Sequence, residues 1–213
     1  MNRRQVLKNL GYGAGALVVT PTVMSLLQSC NNEPEFIPVF LSMGEGHALR
    51  RIVDLIIPSD DKVPGAVDVG VHSFIDSYYN EVLESEDQEV VRVGFKLLAD
   101  KFRSTFTKEL EEGKPEEFDQ LLATYLKTTK EEQIAYNRKM GEFYQAYEND
   151  KTAMPDTDAG MFSLLANLRG MSMWAWKSSE EIGKNVLWYD PIPGQQKGCI
   201  PLSEAGNGKA MAL

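Results

Sequence analysis

The sequence is short of the residues on which most site chemistry rests. Its 213 positions hold two cysteines, Cys30 and Cys199, and two histidines, His47 and His72. That is too few for a disulfide framework, a zinc cluster or covalent haem attachment. Basic charge is scarce as well: 22 Lys and Arg stand against 31 Asp and Glu, for a formal charge of −9. Beyond the first residues there is no Lys/Arg cluster, so the electrostatic footprint of a DNA or RNA binder is missing and nucleic acid is excluded as a partner. No G-x-S-x-G, P-loop, C-x-x-C-H or EF-hand pattern occurs. Internal repeats, low-complexity tracts and useful runs of period-two alternation are absent too, which argues against a sheet. What remains is a chain with 43% hydrophobic residues, enough for one globular domain.

The N-terminus is organised differently from the rest. Arg3, Arg4 and Lys8 precede a stretch without charge from Asn9 to Asn32. Paired arginines before a modest, glycine-containing apolar run resemble a twin-arginine export signal. Leu27-Gln28-Ser29-Cys30 then resembles a lipobox, in which the signal is cut ahead of a cysteine that carries lipid; Gln28 is bulkier than the usual pattern. The competing reading is a retained membrane helix, since Leu10 to Leu27 is uncharged over 18 residues, near the ~20 that a span needs. Gly11, Gly13, Gly15 and Pro21 weigh against it, and both readings put the remainder outside the cytoplasm. Gly11, Gly13 and Ala16 also match a loose G-x-G-x-x-A pattern, but no strand precedes them, so they are rejected as a nucleotide site. The expected organisation is a signal peptide over 1–29, a lipidated Cys30 with a tether over 30–46, a helical domain over 47–194 and an irregular tail over 195–213. Cleavage removes three basic and no acidic residues and takes the charge to −12. Lipid, not basic charge, must then hold the protein to a membrane, on the periplasmic side. With Cys30 lipidated, Cys199 has no disulfide partner and reads as a small apolar filler in preference to a reactive thiol.

The body reads as helices. Leu49, Ile52, Val53 and Ile56 form an apolar stripe ending before Pro58, and Val71, Phe74, Ile75, Tyr78 and Val82 form another. The loop between them carries Pro58, Asp60, Asp61, Pro64 and Gly65. A long stripe from Val91 to Leu110 is expected to close at Gly113 and Pro115. Phe118, Leu121, Leu122 and Tyr125 make a shorter one. Thr129 with Glu132 is a capping box opening a helix with Tyr136, Met140, Phe143, Tyr144 and Tyr147 inward. Met161, Leu164, Leu165 and Leu168 complete the set. The fold expected is all-α: a single compact bundle of about six helices with an irregular, aromatic and Pro-rich C-terminal segment that is not helical from Asn185 onward.

Candidate chemistry is thin. His47 and His72 with Asp60, Asp61 or Asp68 offer imidazole and carboxylate ligands, but their spacing matches no compact motif, and capping or solvated histidines are the better reading. Asp60 and Asp61 are paired carboxylates of the kind acid–base catalysis uses, yet beside Pro58 they read as turn residues. Trp174 and Trp176 are expected in the core. Trp188 and Tyr189, in a Pro-rich segment off any helix stripe, suit a protein interface as well as they suit the chain's own core.

Ile52-Val53-Asp54-Leu55-Ile56-Ile57-Pro58-Ser59-Asp60-Asp61, then Pro64-Gly65-Ala66, Gly70-Val71-His72 and Phe74-Ile75-Asp76, resemble the opening signature of the gluconate 2-dehydrogenase subunit 3 family. Tyr189-Asp190-Pro191 with Pro193-Gly194 is similar to its closing signature. The resemblance frames the domain from about Leu49 to Gly194. It implies a cofactor-free small subunit of a bacterial dehydrogenase that oxidises sugars, sugar acids or glycosides. The implied partner is a flavoprotein large subunit of the glucose-methanol-choline oxidoreductase type, carrying FAD, with a cytochrome c subunit in some complexes. The twin-arginine route moves folded proteins, so a small subunit bearing the signal would escort a large one lacking it, after flavin insertion. The resemblance gives this chain no catalytic, cofactor or metal residues. Because the α-helical stripes do not need them and they lie in or beside the irregular segments that carry the family-like residues, Pro58, Asp60, Asp61, Pro64, Gly65, His72, Trp188, Tyr189, Asp190, Pro191, Pro193 and Gly194 are the expected partner interface. The lipoprotein signal departs from a cytochrome-anchored arrangement. The rival reading is a free-standing surface lipoprotein that binds carbohydrate or protein without a redox partner.

Overall fold

A stretch of 22 residues that is apolar nearly all round organises the molecule. In the computed structural model, which describes residues 36–192, 194–195, 198–201 and 203–212, this stretch is α6, Thr157–Ser178. Its buried positions run from Ala159 through Met161, Leu165 and Leu168 to Ala175 and cover more than one face, as expected of a helix enclosed by others. Around it lie α1 (Met43–Ile56), α2 (Val71–Glu81), α3 (Ser85–Phe106), α4 (Pro115–Leu126) and α5 (Lys130–Asn149), each packed against α6. The described residues contain no strand, only an isolated parallel bridge between Trp188 and Met211. The all-α bundle of six helices is therefore as expected.

Local chemistry sets most boundaries. Ser42 and Glu45 form a reciprocal capping box at α1, and Thr129 and Glu132 form the expected one at α5. Pro115 occupies the first turn of α4, where a missing N–H costs nothing. The apolar stripes of α1, α4 and α6 are buried, with Leu49, Ile52, Phe118 and Leu165 almost fully enclosed.

Three boundaries differ from expectation. The tether was expected to run to residue 46, but α1 opens at Met43, and Phe40 and Leu41 before it are already buried. The buried face of its first turn is Gly44 and Gly46, which carry no hydrophobic signal. Gly44 lies close to the turn at Leu110–Glu112; a Cβ there would lie 2.5 Å from the Glu111 carboxylate. α3 stops at Phe106, not near Gly113, because Thr107 turns into the left-handed region at φ 58° and caps it. Leu110 belongs instead to a short 3₁₀ turn, where it is buried. Finally, the segment after α6 is not wholly irregular. Ile182–Val186 forms a π-helical turn that inserts a fully buried Ile182, so Asn185 and Val186 are helical after all. Among the described residues no helix is long and apolar enough to cross a membrane.

Candidate docking surface and cavity

The loop between α1 and α2 is built from the inside outward. The Ala66 N–H donates to the Ile57 carbonyl at 2.8 Å, and the Val71 N–H to the Ala66 carbonyl at 2.9 Å, which closes the loop and starts α2. Asp68 accepts from the Ser59 hydroxyl and, at 2.8 Å, from the Gly65 N–H. Those two bonds, the hydroxyl first, hold its carboxyl below the usual carboxylate range. Gly65 is required by close approach: a Cβ there would sit 2.5 Å from the Ser59 nitrogen and 2.8 Å from the Ile57 oxygen. Asp60 accepts from the backbone N–H groups of Lys62 and Val63 at 2.7 and 2.9 Å, an Asx-type turn and the role that local sequence suggested. The loop therefore presents Pro58, Asp60, Asp61 and Lys62 to solvent, while Gly65 and Ala66 are buried and Pro64 is half-buried.

Neither histidine is solvated. His72 is buried at the start of α2. His47 is half-buried, its Nε2 3.0 Å from the Gly113 carbonyl and its ring against Phe118. They lie on separate helices, and no three His, Cys, Asp or Glu among the described residues gather as metal ligands.

The C-terminal segment is pinned by the tail. The Trp188 N–H donates to the Ala210 carbonyl, and the Ala212 N–H to the Trp188 carbonyl, both at 2.8 Å. Gly206 lies directly against the Trp188 side chain: a Cβ there would fall 2.3 Å from Cγ. Trp188 is thus half-buried under its own chain, whereas Tyr189 and Ile192 are exposed. Asp190 is half-buried, Pro191 exposed, and Gly194 takes φ 63°. Burial takes His72 and Gly65 out of direct reach of a partner. Cys199, expected as a small apolar filler in the tail, is an exposed free thiol. Arg3, Arg4, Cys30 and Pro193 lie outside the described residues.

Trp174 is the clearest departure from the expected core. It is 46% exposed and forms an edge-to-face cluster with Phe74, 42% exposed, at 5.3 Å and with Tyr78 at 6.0 Å. The cluster joins α2 to the last turns of α6, and Met173 beside it is exposed as well. Two positions further on, Trp176, expected in the core, is half-buried and packs against it, and its indole N–H donates to the Pro64 carbonyl at 2.9 Å. The C-terminal part of α6 therefore carries the aromatic cluster and anchors the loop. Helical spacing signalled Phe74 and Tyr78, but only the neighbour across the groove decides that the α6 face at Trp174 stays open.

Adjoining this cluster, with Tyr78 and Trp174 among its lining residues, a cavity of about 440 Å³ lies between α2, α3, α5 and α6. Its walls are largely apolar, with Val90, Val91, Met140, Phe143 and Leu164 among them. Asn167, Ser163, Asp87 and the Tyr78, Tyr79 and Tyr144 side chains add polar atoms. Sequence patterning gave no sign of it, because a gap between helices depends on their packing distance.

A family model described as gluconate 2-dehydrogenase subunit 3 matches residues 44–194. The chain belongs to that family. The match spans α1 to the aromatic segment and agrees with the frame that the opening and closing signatures marked. No curated protein and no solved structure is significantly similar to the chain. Membership implies association with a gluconate dehydrogenase complex, and the signature residues Gly65, Ala66 and Asp76 are the ones that build the α1–α2 loop and the entry to the domain.

Proposed function

We propose that the chain is the cofactor-free small subunit of an exported dehydrogenase complex. It binds and helps to mature a flavin-containing large subunit of the glucose-methanol-choline type, which oxidises sugars, sugar acids or glycosides. Arg3 and Arg4 direct both through the twin-arginine route, and lipid on Cys30 holds the complex to a membrane on the periplasmic side.

The match to the subunit 3 family over 44–194 carries this reading. The surface supports it. Phe74, Tyr78, Met173 and Trp174 form an apolar patch on a strongly acidic protein, and aromatic and Met-rich patches of this kind are enriched at interface centres. Pro58, Asp60 and Asp61, on the loop anchored by Trp176, extend the docking surface on one side, with Tyr189, Pro191 and Ile192 as further exposed contacts.

Co-expression with the large subunit tests the export half. Replacing Arg3 and Arg4 by Lys is expected to leave both the precursor and the flavoprotein in the cytoplasm. Export of the flavoprotein unaffected by that change would refute the escort role.

A further inference from the structure

The cavity between α2, α3, α5 and α6 has the size and composition of a small-molecule site, about 440 Å³ against the roughly 300–1,000 Å³ usual for ligand pockets. Its floor is formed where α3 and α6 approach closely. A Cβ on Gly94 would lie 3.2 Å from Leu164 Cδ1, and one on Gly160 2.5 Å from Leu97 Cδ1. Small residues on both helices thus fix the depth of the gap.

The wall chemistry narrows the occupant. Val90, Val91 and Leu164 offer nothing to the many hydroxyls of a sugar. The one charged side chain in the lining is Asp87, an acid, which disfavours sugar acids, phosphates and other anions. Phe143, Tyr144 and Trp174 supply ring faces and edges suited to a flat ring. Two of the polar groups, Ser163 and Asn167, lie on α6. Asn167 Oδ1 accepts a long, 3.4 Å hydrogen bond from the hydroxyl of Tyr79, a residue only 1% exposed. With its oxygen turned to Tyr79, the exposed Asn167 amide keeps its two Nδ2 hydrogens for another acceptor. Ser163 lies one turn earlier on the same wall.

We propose that this cavity binds a planar, uncharged aromatic compound bearing a carbonyl oxygen, with Asn167 Nδ2 donating to that oxygen and Ser163 flanking it. The site goes beyond the subunit role; Tyr78 and Trp174 belong both to its wall and to the proposed docking patch, and binding is therefore tested on this chain alone.

The test is titration of the purified, processed protein with chromone, followed by tryptophan fluorescence and calorimetry. Naphthalene, of the same ring size without the oxygens, and methyl glucoside serve as comparison probes. Saturable one-site binding of chromone is expected, tighter than naphthalene by about tenfold, the worth of one hydrogen bond to a carbonyl. Asn167→Ala is expected to remove that preference without changing the melting temperature, and Ser163→Trp to abolish binding by filling the cavity. The proposal is overturned by no saturable chromone binding, by naphthalene binding equally well, by methyl glucoside binding more tightly, or by an Asn167→Ala protein that keeps the full preference. Should Ser163→Trp fail to fold, the Asn167→Ala comparison decides alone.

Discussion

Asp76 shows how much one side chain holds. Buried on α2, it accepts three backbone N–H groups, from Val39 at 2.6 Å, Phe40 at 3.2 Å and Leu41 at 2.9 Å. The segment ahead of α1 would otherwise bring those donors into the protein without partners. Fixed there, Phe40 packs on Tyr79 and lies under the Arg92 guanidinium, 4.2 Å from the ring centre. Asp76→Ala leaves the N–H groups unsatisfied, and the expected cost is about 3 kcal/mol of unfolding free energy. Urea denaturation measures it; a midpoint like that of the wild type would show that the clamp contributes nothing. In the sequence Asp76 was legible only as part of a family-like triplet. A lone Asp carries no local sign of a partner 35 to 37 residues away, which is why the segment to residue 46 read as a tether. Trp174 went astray for the converse reason: a tryptophan on an apolar helix is normally covered, and coverage belongs to the neighbouring element.

At the scale of the element, helix starts were more legible than helix ends. Thr129 and Glu132 announce α5 by a local rule, whereas the stop of α3 depends on Thr107 adopting a left-handed backbone that nothing in a Phe-Thr-Lys sequence requires. The start of α6 combines both kinds of information. Asp156 caps it by accepting from the Ala159 N–H at 3.0 Å and also meets Lys139 Nζ of α5 at 2.8 Å. The lysine, foremost, and then the cap bond hold its carboxyl below the ordinary carboxylate range. A depressed folded-state pKa adds stability that is full above the unfolded value of about 4 and is lost as the pH falls through the lower folded value. Asp156→Ala is therefore expected to cost about 1 kcal/mol near neutral pH, the usual worth of a cap, with the gap to wild type narrowing as the medium is acidified towards about pH 2. Denaturation midpoints across that range check it, and a gap constant with pH would show that ionised Asp156 is not responsible.

For the whole molecule, fold class and helix number followed from periodicity, because a 3.6-residue stripe of apolar side chains has few ways to be buried other than against other helices. The surface did not follow. Which aromatics stay open, where a cavity remains and which signature residues face inward all depend on distances between helices. In the proposed function, this all-α chain is a subunit that docks a flavoprotein through the exposed face around Trp174. The most direct measurement co-expresses the chain with its large subunit and compares wild type, Trp174→Ala and Trp188→Ala. Retained flavoprotein is read from flavin absorbance, and the melting temperature of each small subunit is read alongside. Trp174→Ala is predicted to weaken binding by about 2 kcal/mol, roughly thirtyfold, with the melting temperature nearly unchanged, while Trp188→Ala, which loosens the tail packed on Gly206, lowers the melting temperature instead. Flavoprotein retained equally by wild type and Trp174→Ala, or retained by neither, would contradict the claim.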